Sequence, residues 1–224
     1  MITVGVNAYE NQTFDLSFAA NDARRMSETL SQRLRAGGQY EEVVPVTLIS
    51  ERQSGGPNAV RREATKENFK TILDILAGRG PSLTSTAPAP APAPAATQAN
   101  RRNRGPAAAN KKPGAQPAAT SAASANRPAP LAGITNAGKL APVTPDDLVV
   151  ILFSSHGYAD RSGRFYLIPY DTGAGTQKVF SETVRQHSIS SDELSLWMRR
   201  IDAGELVLIV DACHSAAAVE SSEF

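Results

Sequence analysis

The sequence predicts an α/β fold in which a mostly parallel sheet carries helices on both faces. Two continuous apolar runs, at 148–153 and 206–210, are typical of strands that are buried on both faces. In other segments apolar residues recur every three or four positions, as on one face of a helix. Because strand-like and helix-like segments alternate along the chain, we expect parallel strands that are connected by crossover helices.

The first part of the chain, residues 1–78, carries boundary signals for two strands and two helices. The expected elements are a strand at Ile2–Val6, a helix from an N-cap at Asp15 to a stop at Gly37 and Gly38, a strand at 43–49, and a helix from an N-cap at Thr65 to Gly78. Because Met1 falls inside the first strand-like run, we expect the chain to be a fragment of a longer protein.

A segment of different composition, residues 79–145, interrupts this pattern. It holds 12 of the 15 prolines and eight of the 23 basic residues, and it has no acidic residue. The Ala-Pro alternation at 87–94 favours polyproline II, and too few aromatic or β-branched residues are present to offset the entropy of ordering. We therefore expect 79–145 to be a disordered basic insert in one domain that is formed by 1–78 and 146–224.

The second part of that domain, residues 146–224, begins with the apolar strand at 148–153. A helix with a capping box at Ser190 and Glu193 follows, and we expect Gly204 to end it. The apolar run at 206–210 is the last predicted strand.

Composition excludes several classes of protein. A single cysteine allows no intramolecular disulfide, and with only three histidines it leaves little for a structural zinc site. No apolar run approaches the roughly 20 residues of a membrane span, and the start lacks the pattern of a signal peptide. We therefore expect a cytoplasmic protein without membrane contact. The basic insert could touch nucleic acid non-specifically, but no segment resembles a base-reading module.

Two predicted strands end in reactive side chains, His156 and Cys213. If these strands are parallel neighbours, both residues emerge at the same edge of the sheet. A histidine can take the thiol proton and later pass it to a leaving amine, which makes the cysteine a nucleophile. The backbone amides of Gly157 and Cys213 are the expected oxyanion donors.

Each of these residues also has a simpler interpretation. A lone cysteine after an apolar strand is often a small buried hydrophobe, and a lone histidine can be structural. Two further histidines are weaker candidates: we expect His214 to be structural and His187 to be solvated. The joint placement of His156 and Cys213, 57 residues apart, favours the catalytic interpretation.

The segments 149–157 and 206–215 resemble the two catalytic blocks of the caspase-like cysteine peptidases. The Asp-Ala-Cys-His-Ser form of the second block is similar to that of the metacaspases and bacterial caspase homologues. The resemblance implies that His156 is the general base and that Cys213 is the nucleophile.

Three further segments extend the resemblance over nearly all of the predicted ordered part. They resemble the family's first strand and loop, its first helix, and the segment after the catalytic histidine, and they lie at 2–10, 16–26 and 167–171. The resemblance implies a caspase-like three-layer sandwich. Because the family's domain continues well past its nucleophile, whereas this chain stops at Phe224, we expect the C-terminal part of that domain to be lacking.

Two carboxylates are the candidate determinants of substrate specificity. Asp211 lies two residues before Cys213, and Asp22 lies in the first predicted helix, so both in one pocket would favour a cationic side chain. The resemblance implies the same roles, with Ser154 as a further pocket residue and cleavage after Arg or Lys. The alternatives are that Asp22 is an exposed helix carboxylate and that Asp211 caps a nearby turn.

The resemblance also raises calcium, which many metacaspases bind through a cluster of aspartates. Arg164 and Ser191 stand where two of those acids would align, and only Asp192 and Glu220 remain. We therefore predict no cofactor and do not predict a calcium site.

We predict a cysteine endopeptidase of metacaspase type that acts on proteins or peptides with Arg or Lys before the cleaved bond. The basic residues of 79–145 are candidate self-cleavage sites, although that segment could equally be a tolerated linker. One alternative function is a caspase-like interaction module without turnover. The other alternative is a related peptidase of the legumain or gingipain type.

Overall fold

A computed structural model describes residues 1–56, 59–80, 131–173 and 182–213, and for Cys213 it describes the backbone alone. The described residues on both sides of segment 81–130 belong to one compact unit. Their strands and helices, in chain order, are β1 (Ile2–Val6), α1 (Ala19–Gly37), β2 (Val46–Arg52), β3 (Val60–Arg62), α2 (Lys66–Leu76), β4 (Leu148–Ala159), β5 (Phe165–Leu167), α3 (Glu182–His187), β6 (Ile189–Ser190), α4 (Ser191–Met198) and β7 (Glu205–Cys213).

The sheet is mixed, and its centre is parallel. Strands β2, β1, β4 and β7 run parallel and lie side by side in that order. Strand β3 pairs antiparallel with β2, and β5 pairs antiparallel with the end of β4 and then with β6. The predicted α/β class and the parallel direction of the two apolar strands are therefore confirmed, and the two strands are neighbours in the sheet. None of the helices in the described ranges is both long and apolar enough to cross a bilayer.

Helices pack on both faces of this sheet, and β1 shows why. Val4 belongs to the main apolar core with Phe69 of α2, whose ring meets Phe153 of β4 edge-on at 5.3 Å between centroids. The next residue, Gly5, faces α1 because side chains alternate along a strand. A Cβ atom at Gly5 would lie 2.5 Å from the carbonyl oxygen of Ala19, so α1 approaches the sheet at a position where only glycine fits.

Several predicted helix boundaries are confirmed. Thr65 caps α2 by accepting a hydrogen bond from the Asn68 amide, and Ser190 and Glu193 form the predicted capping box of α4. Gly38 ends α1 with φ near 64°, a left-handed conformation that suits glycine.

Two predicted helix boundaries are wrong. Asp15 does not cap α1, which starts four residues later, and the Asn7 side chain instead accepts the Ala20 amide at 2.9 Å. Gly204 does not end α4, which stops at Met198. Gly204 is needed for close packing, since a Cβ there would lie 2.0 Å from the Pro145 carbonyl oxygen.

The strands are longer or shifted relative to the predictions. Strand β2 starts three residues later than expected and continues to Arg52. Strand β4 continues through His156 to Ala159, and β7 continues to Cys213. The periodicity of apolar residues did not reveal these extensions because they consist of polar and small residues.

The predicted disorder of 79–145 is wrong for residues 131–145. Four apolar side chains of this segment are buried in the main core, namely Leu131, Ile134, Ala137 and Leu140. The Asn136 side chain also donates a hydrogen bond to the Pro45 carbonyl at 2.8 Å. These apolar side chains recur every three residues, and this recurrence is the sequence signal of a buried segment. The high proline and alanine content of the surrounding sequence obscured it. The prediction is also wrong for Arg79 and Gly80, whose amides donate to the Asp74 carbonyl at 2.7 and 2.9 Å. The rest of the predicted insert, 81–130, lies outside the described residues.

Truncation of Leu140 tests whether this segment belongs to the core. Leu140 is 6% exposed, so Leu140→Ala is expected to lower the free energy of unfolding by about 2–3 kcal/mol. The neighbouring Lys139→Ala is a matched control: its side chain is 60% exposed, and we expect a change within about 0.5 kcal/mol. Chemical denaturation measures both, and equal stabilities for the two variants would contradict the packing.

Candidate active site

Strands β4 and β7 bring the two predicted catalytic positions together. Their parallel register pairs His156 with Cys213, so the two backbones lie at the strand separation of about 4.8 Å. Both positions lie near the carboxyl ends of central parallel strands, where sites in such sheets form. The side chain of Cys213 and the whole of His214 lie outside the described residues.

The His156 ring is held by the loop between β1 and α1. Its Nε2 lies 2.9 Å from the Phe14 carbonyl oxygen, and since a carbonyl only accepts, Nε2 must carry the proton. The neutral ring therefore has its basic lone pair on Nδ1. The Tyr9 ring lies 5.4 Å from the imidazole and the Phe14 ring 6.2 Å from it, so two aromatic side chains bound the histidine.

Burial lowers the pKa of His156 below its ordinary value of 6.5, and the hydrogen bond to Phe14 offsets this only in part. The imidazole is therefore neutral at pH 7 and able to accept a proton. Because the unfolded chain binds more protons than the folded chain just below pH 6.5, the contribution of His156 to stability falls as the pH drops through that window.

Tyr9 supports the backbone of the same histidine. Its hydroxyl accepts a hydrogen bond from the His156 amide at 2.9 Å, and the side chain is fully buried. Besides the ring contacts, the loop therefore binds His156 through the Tyr9 hydroxyl and through the Phe14 carbonyl.

Gly157, the predicted oxyanion donor, lies in β4 opposite Leu167 of β5. A Cβ atom there would lie 2.7 Å from the Phe165 ring and 2.9 Å from the Ala212 side chain. Tight packing therefore explains the glycine at this position, independently of any role of its amide in binding an oxyanion.

Ser154 and Asp211, two of the predicted pocket residues, are in contact. They are register partners, and the buried Ser154 hydroxyl donates to the exposed Asp211 carboxylate at 2.9 Å. Ser154 also pairs with Gly5, the residue of β1 that faces α1. The contact therefore lies on the α1 side of the sheet, with the Asp211 carboxylate open to solvent.

Asp22 lies on the same side of the sheet, exposed in the first turn of α1. Arg24 of α1 pairs with Glu51 of β2, which marks the flank of the helix nearest β2. Since residues two apart in a helix are about 200° apart around its axis, Asp22 lies on the flank away from β2, exposed to solvent. The described contacts join Asp211 to Ser154, and none joins it to Asp22.

Two residues that align with the calcium-binding positions of metacaspases, Arg164 and Asp192, form an ion pair. Arg164 places its guanidinium 2.9 Å from the Asp192 carboxylate, where it supplies the positive charge itself. Within the described ranges, no group of three or more His, Cys, Asp and Glu side chains could hold a metal ion. Glu220 lies outside those ranges.

The remaining histidine, His187, lies in α3 and is exposed. Its Nδ1 contacts the Thr183 carbonyl at 2.8 Å, one helical turn earlier. Its exposure agrees with the solvated position that we expected, although it lies in a helix.

Sequence reasoning missed the partners of His156. A backbone carbonyl such as that of Phe14 leaves no signature in a sequence, since every residue has one. Tyr9 left a signal, an aromatic residue in a short polar loop after the first strand, which could have been noted.

Comparison with known proteins adds no family: no protein-family model matches the chain, and no curated protein matches it.

Proposed function

We propose that this protein is a caspase-like cysteine endopeptidase of metacaspase type, with His156 as general base and Cys213 as nucleophile. The observation that carries the proposal is the pairing of His156 with Cys213 in the parallel register of β4 and β7. The α/β fold, with helices on both faces of the sheet, is compatible with the three-layer sandwich of that family. A chain with one cysteine, which can form no internal disulfide, is suited to the cytoplasm.

The state of His156 supports this chemistry. The hydrogen bond from Nε2 to the Phe14 carbonyl leaves Nδ1 as the basic nitrogen, and the lowered pKa keeps the ring neutral. In the proposed reaction the Cys213 thiol passes its proton to His156 as sulfur bonds to the scissile carbonyl carbon. The imidazolium then protonates the departing amine, and water releases the acyl group. The amides of Gly157 and Cys213 are the proposed oxyanion donors.

The proposed substrates have Arg or Lys before the cleaved bond. Asp211 offers a solvent-facing carboxylate that Ser154 orients, and Asp22 adds a second carboxylate on the same side of the sheet. A guanidinium or ammonium group would gain charge-assisted hydrogen bonds there. An aspartate side chain would meet repulsion instead.

Hydrolysis of fluorogenic peptides that end in Arg, Lys or Asp tests the proposal. We expect release of dye after Arg and Lys, none after Asp, and none from the Cys213→Ala variant. Because Arg164 already neutralises Asp192, the rate should be the same with calcium or with a chelator.

The Asp211→Asn variant tests the pocket separately, because asparagine keeps a hydrogen-bond acceptor for Ser154 and removes the charge. We expect kcat/KM for the Arg peptide to fall about 10- to 100-fold, the worth of a charged hydrogen bond. Cleavage after Asp would overturn the pocket assignment. If no peptide is cleaved, the alternative of an interaction module without turnover is favoured.

A further inference from the structure

We propose that Arg52, at the end of β2, is a positioning residue that sets the tautomer and orientation of His156 through the loop between β1 and α1. Arg52 touches neither His156 nor Cys213 in the described contacts. It acts on the two residues that hold the histidine, Tyr9 and Phe14.

The contacts of Arg52 form a closed ring, here named the Arg52 clamp: Arg52, the Asp15 carboxylate, and the backbone N–H and C=O of Tyr9. Arg52 donates to Asp15 through Nε at 2.8 Å and through Nη2 at 3.2 Å. The same Nη2 donates to the Tyr9 carbonyl at 3.1 Å. Asp15 in turn accepts a hydrogen bond from the Tyr9 amide at 2.9 Å. A planar guanidinium can make this set of contacts, and a lysine ammonium cannot.

The Arg52 clamp is connected to His156 through two residues, Asp15 and Tyr9. The Phe14 carbonyl that accepts from Nε2 belongs to the peptide unit that joins Phe14 to Asp15. The amide of this unit donates to the Gln12 carbonyl at 3.1 Å, and the Asp15 side chain beside it is held by Arg52 and by the Tyr9 amide, so the local turn and the clamp together fix the direction of the carbonyl. The second connection is through Tyr9, whose hydroxyl accepts a hydrogen bond from the His156 amide. One guanidinium therefore acts on the positions of both acceptors, through Asp15 and through Tyr9.

The clamp is separate from the contacts that hold the loop to α1. Asn7 accepts the Ala20 amide through its side chain and the Leu16 amide through its carbonyl, at 2.9 Å and 2.7 Å. The loop should therefore stay in place when Arg52 is replaced, while the Phe14 carbonyl keeps the hydrogen bond of its peptide unit to Gln12 and loses the support of the clamp. The Arg52–Asp15 pair is about one-third exposed, so its direct contribution to stability is small.

The test compares Arg52→Ala with Arg24→Ala. Arg24 pairs with Glu51, the residue next to Arg52, and this pair is similarly exposed but does not touch the loop. In ¹⁵N-labelled protein, the ring nitrogens of His156 report which one carries the proton, and His156→Gln identifies the signals. We expect wild type and Arg24→Ala to show the proton on Nε2, and Arg52→Ala to show signals averaged between the two tautomers. Arg52→Lys, which keeps the charge without the fork, should also show averaging.

Kinetics provide a second arm, which alone rests on the proposed peptidase function. For the Arg peptide, Arg52→Ala should lower kcat by up to about 100-fold with KM little changed, because the base and not the pocket is misplaced. If folded Arg52→Ala keeps the wild-type tautomer, the positioning role is overturned even if the protein is an active peptidase. If the tautomer changes in a protein that cleaves no peptide, the positioning role stands and the proposed function fails.

Discussion

His156→Gln is expected to reduce kcat for the Arg peptide about a thousandfold or more while the fold is retained. Glutamine can still donate a hydrogen bond to the Phe14 carbonyl, which avoids leaving that acceptor buried without a partner. It cannot take a proton from a thiol. Steady-state kinetics should therefore show the loss of kcat, while thermal denaturation should show an unfolding temperature close to that of the wild type.

His187→Gln is the matched control for this loss. His187 is exposed, and its only described ring contact is with a carbonyl one turn earlier in its own helix. We expect its kcat to stay within about twofold of wild type, the range of a surface change. A His156→Gln enzyme that keeps activity within tenfold of wild type would remove His156 from the proposed mechanism.

Gly5→Ala is expected to lower the free energy of unfolding by about 3 kcal/mol, a large effect for one methyl group. The new Cβ would lie 2.5 Å from the Ala19 carbonyl oxygen and 2.7 Å from the Ala20 Cα, both of which are backbone atoms that no side-chain rotation can move. Helix α1 would have to shift away from β1. For a domain of this size the unfolding temperature should drop by about 6–12 °C, measurable by calorimetry.

The control for this prediction is Gly37→Ala at the other end of α1. No atom lies within 4 Å of a Cβ placed there, and the residue is still helical. Alanine is favoured over glycine in a helix by about 1 kcal/mol, so we expect equal or higher stability. Equal destabilisation by the two substitutions would mean that the close approach of α1 to β1 is not the cause.

The regular part of the fold could be predicted because local patterns encode it. The apolar runs at 148–153 and 206–210 predicted two buried strands of a parallel sheet, and the capping box at Ser190 predicted the start of α4. Asp15 was misinterpreted because an acidic residue before a helical pattern fits an N-cap. Its true partner, Arg52, lies 37 residues away, and local patterns carry no information on such pairs.

The candidate site was predictable to a similar degree. His156 and Cys213 could be linked because each follows an apolar run. The parallel register of β4 and β7 then places the two residues side by side. The contact between Ser154 and Asp211 follows from the same register. The carbonyl of Phe14 could not be found, because its direction depends on a loop conformation that tertiary contacts impose.

The hydrogen bond between Phe14 and His156 joins residues that are 142 positions apart in the sequence. This separation bears on when the candidate site is completed during folding. Residues 148–213 contain both proposed catalytic positions and the strand pair that joins them, yet they lack the loop that orients the histidine. Contacts between such distant parts of a chain form late, because the entropy of closing the intervening segment must first be overcome. A chain in which β4 and β7 have paired but β1 has not docked would therefore pair the backbone of Cys213 with a His156 that is not yet oriented. For the proposed peptidase, completion of the fold would then be the step that enables catalysis.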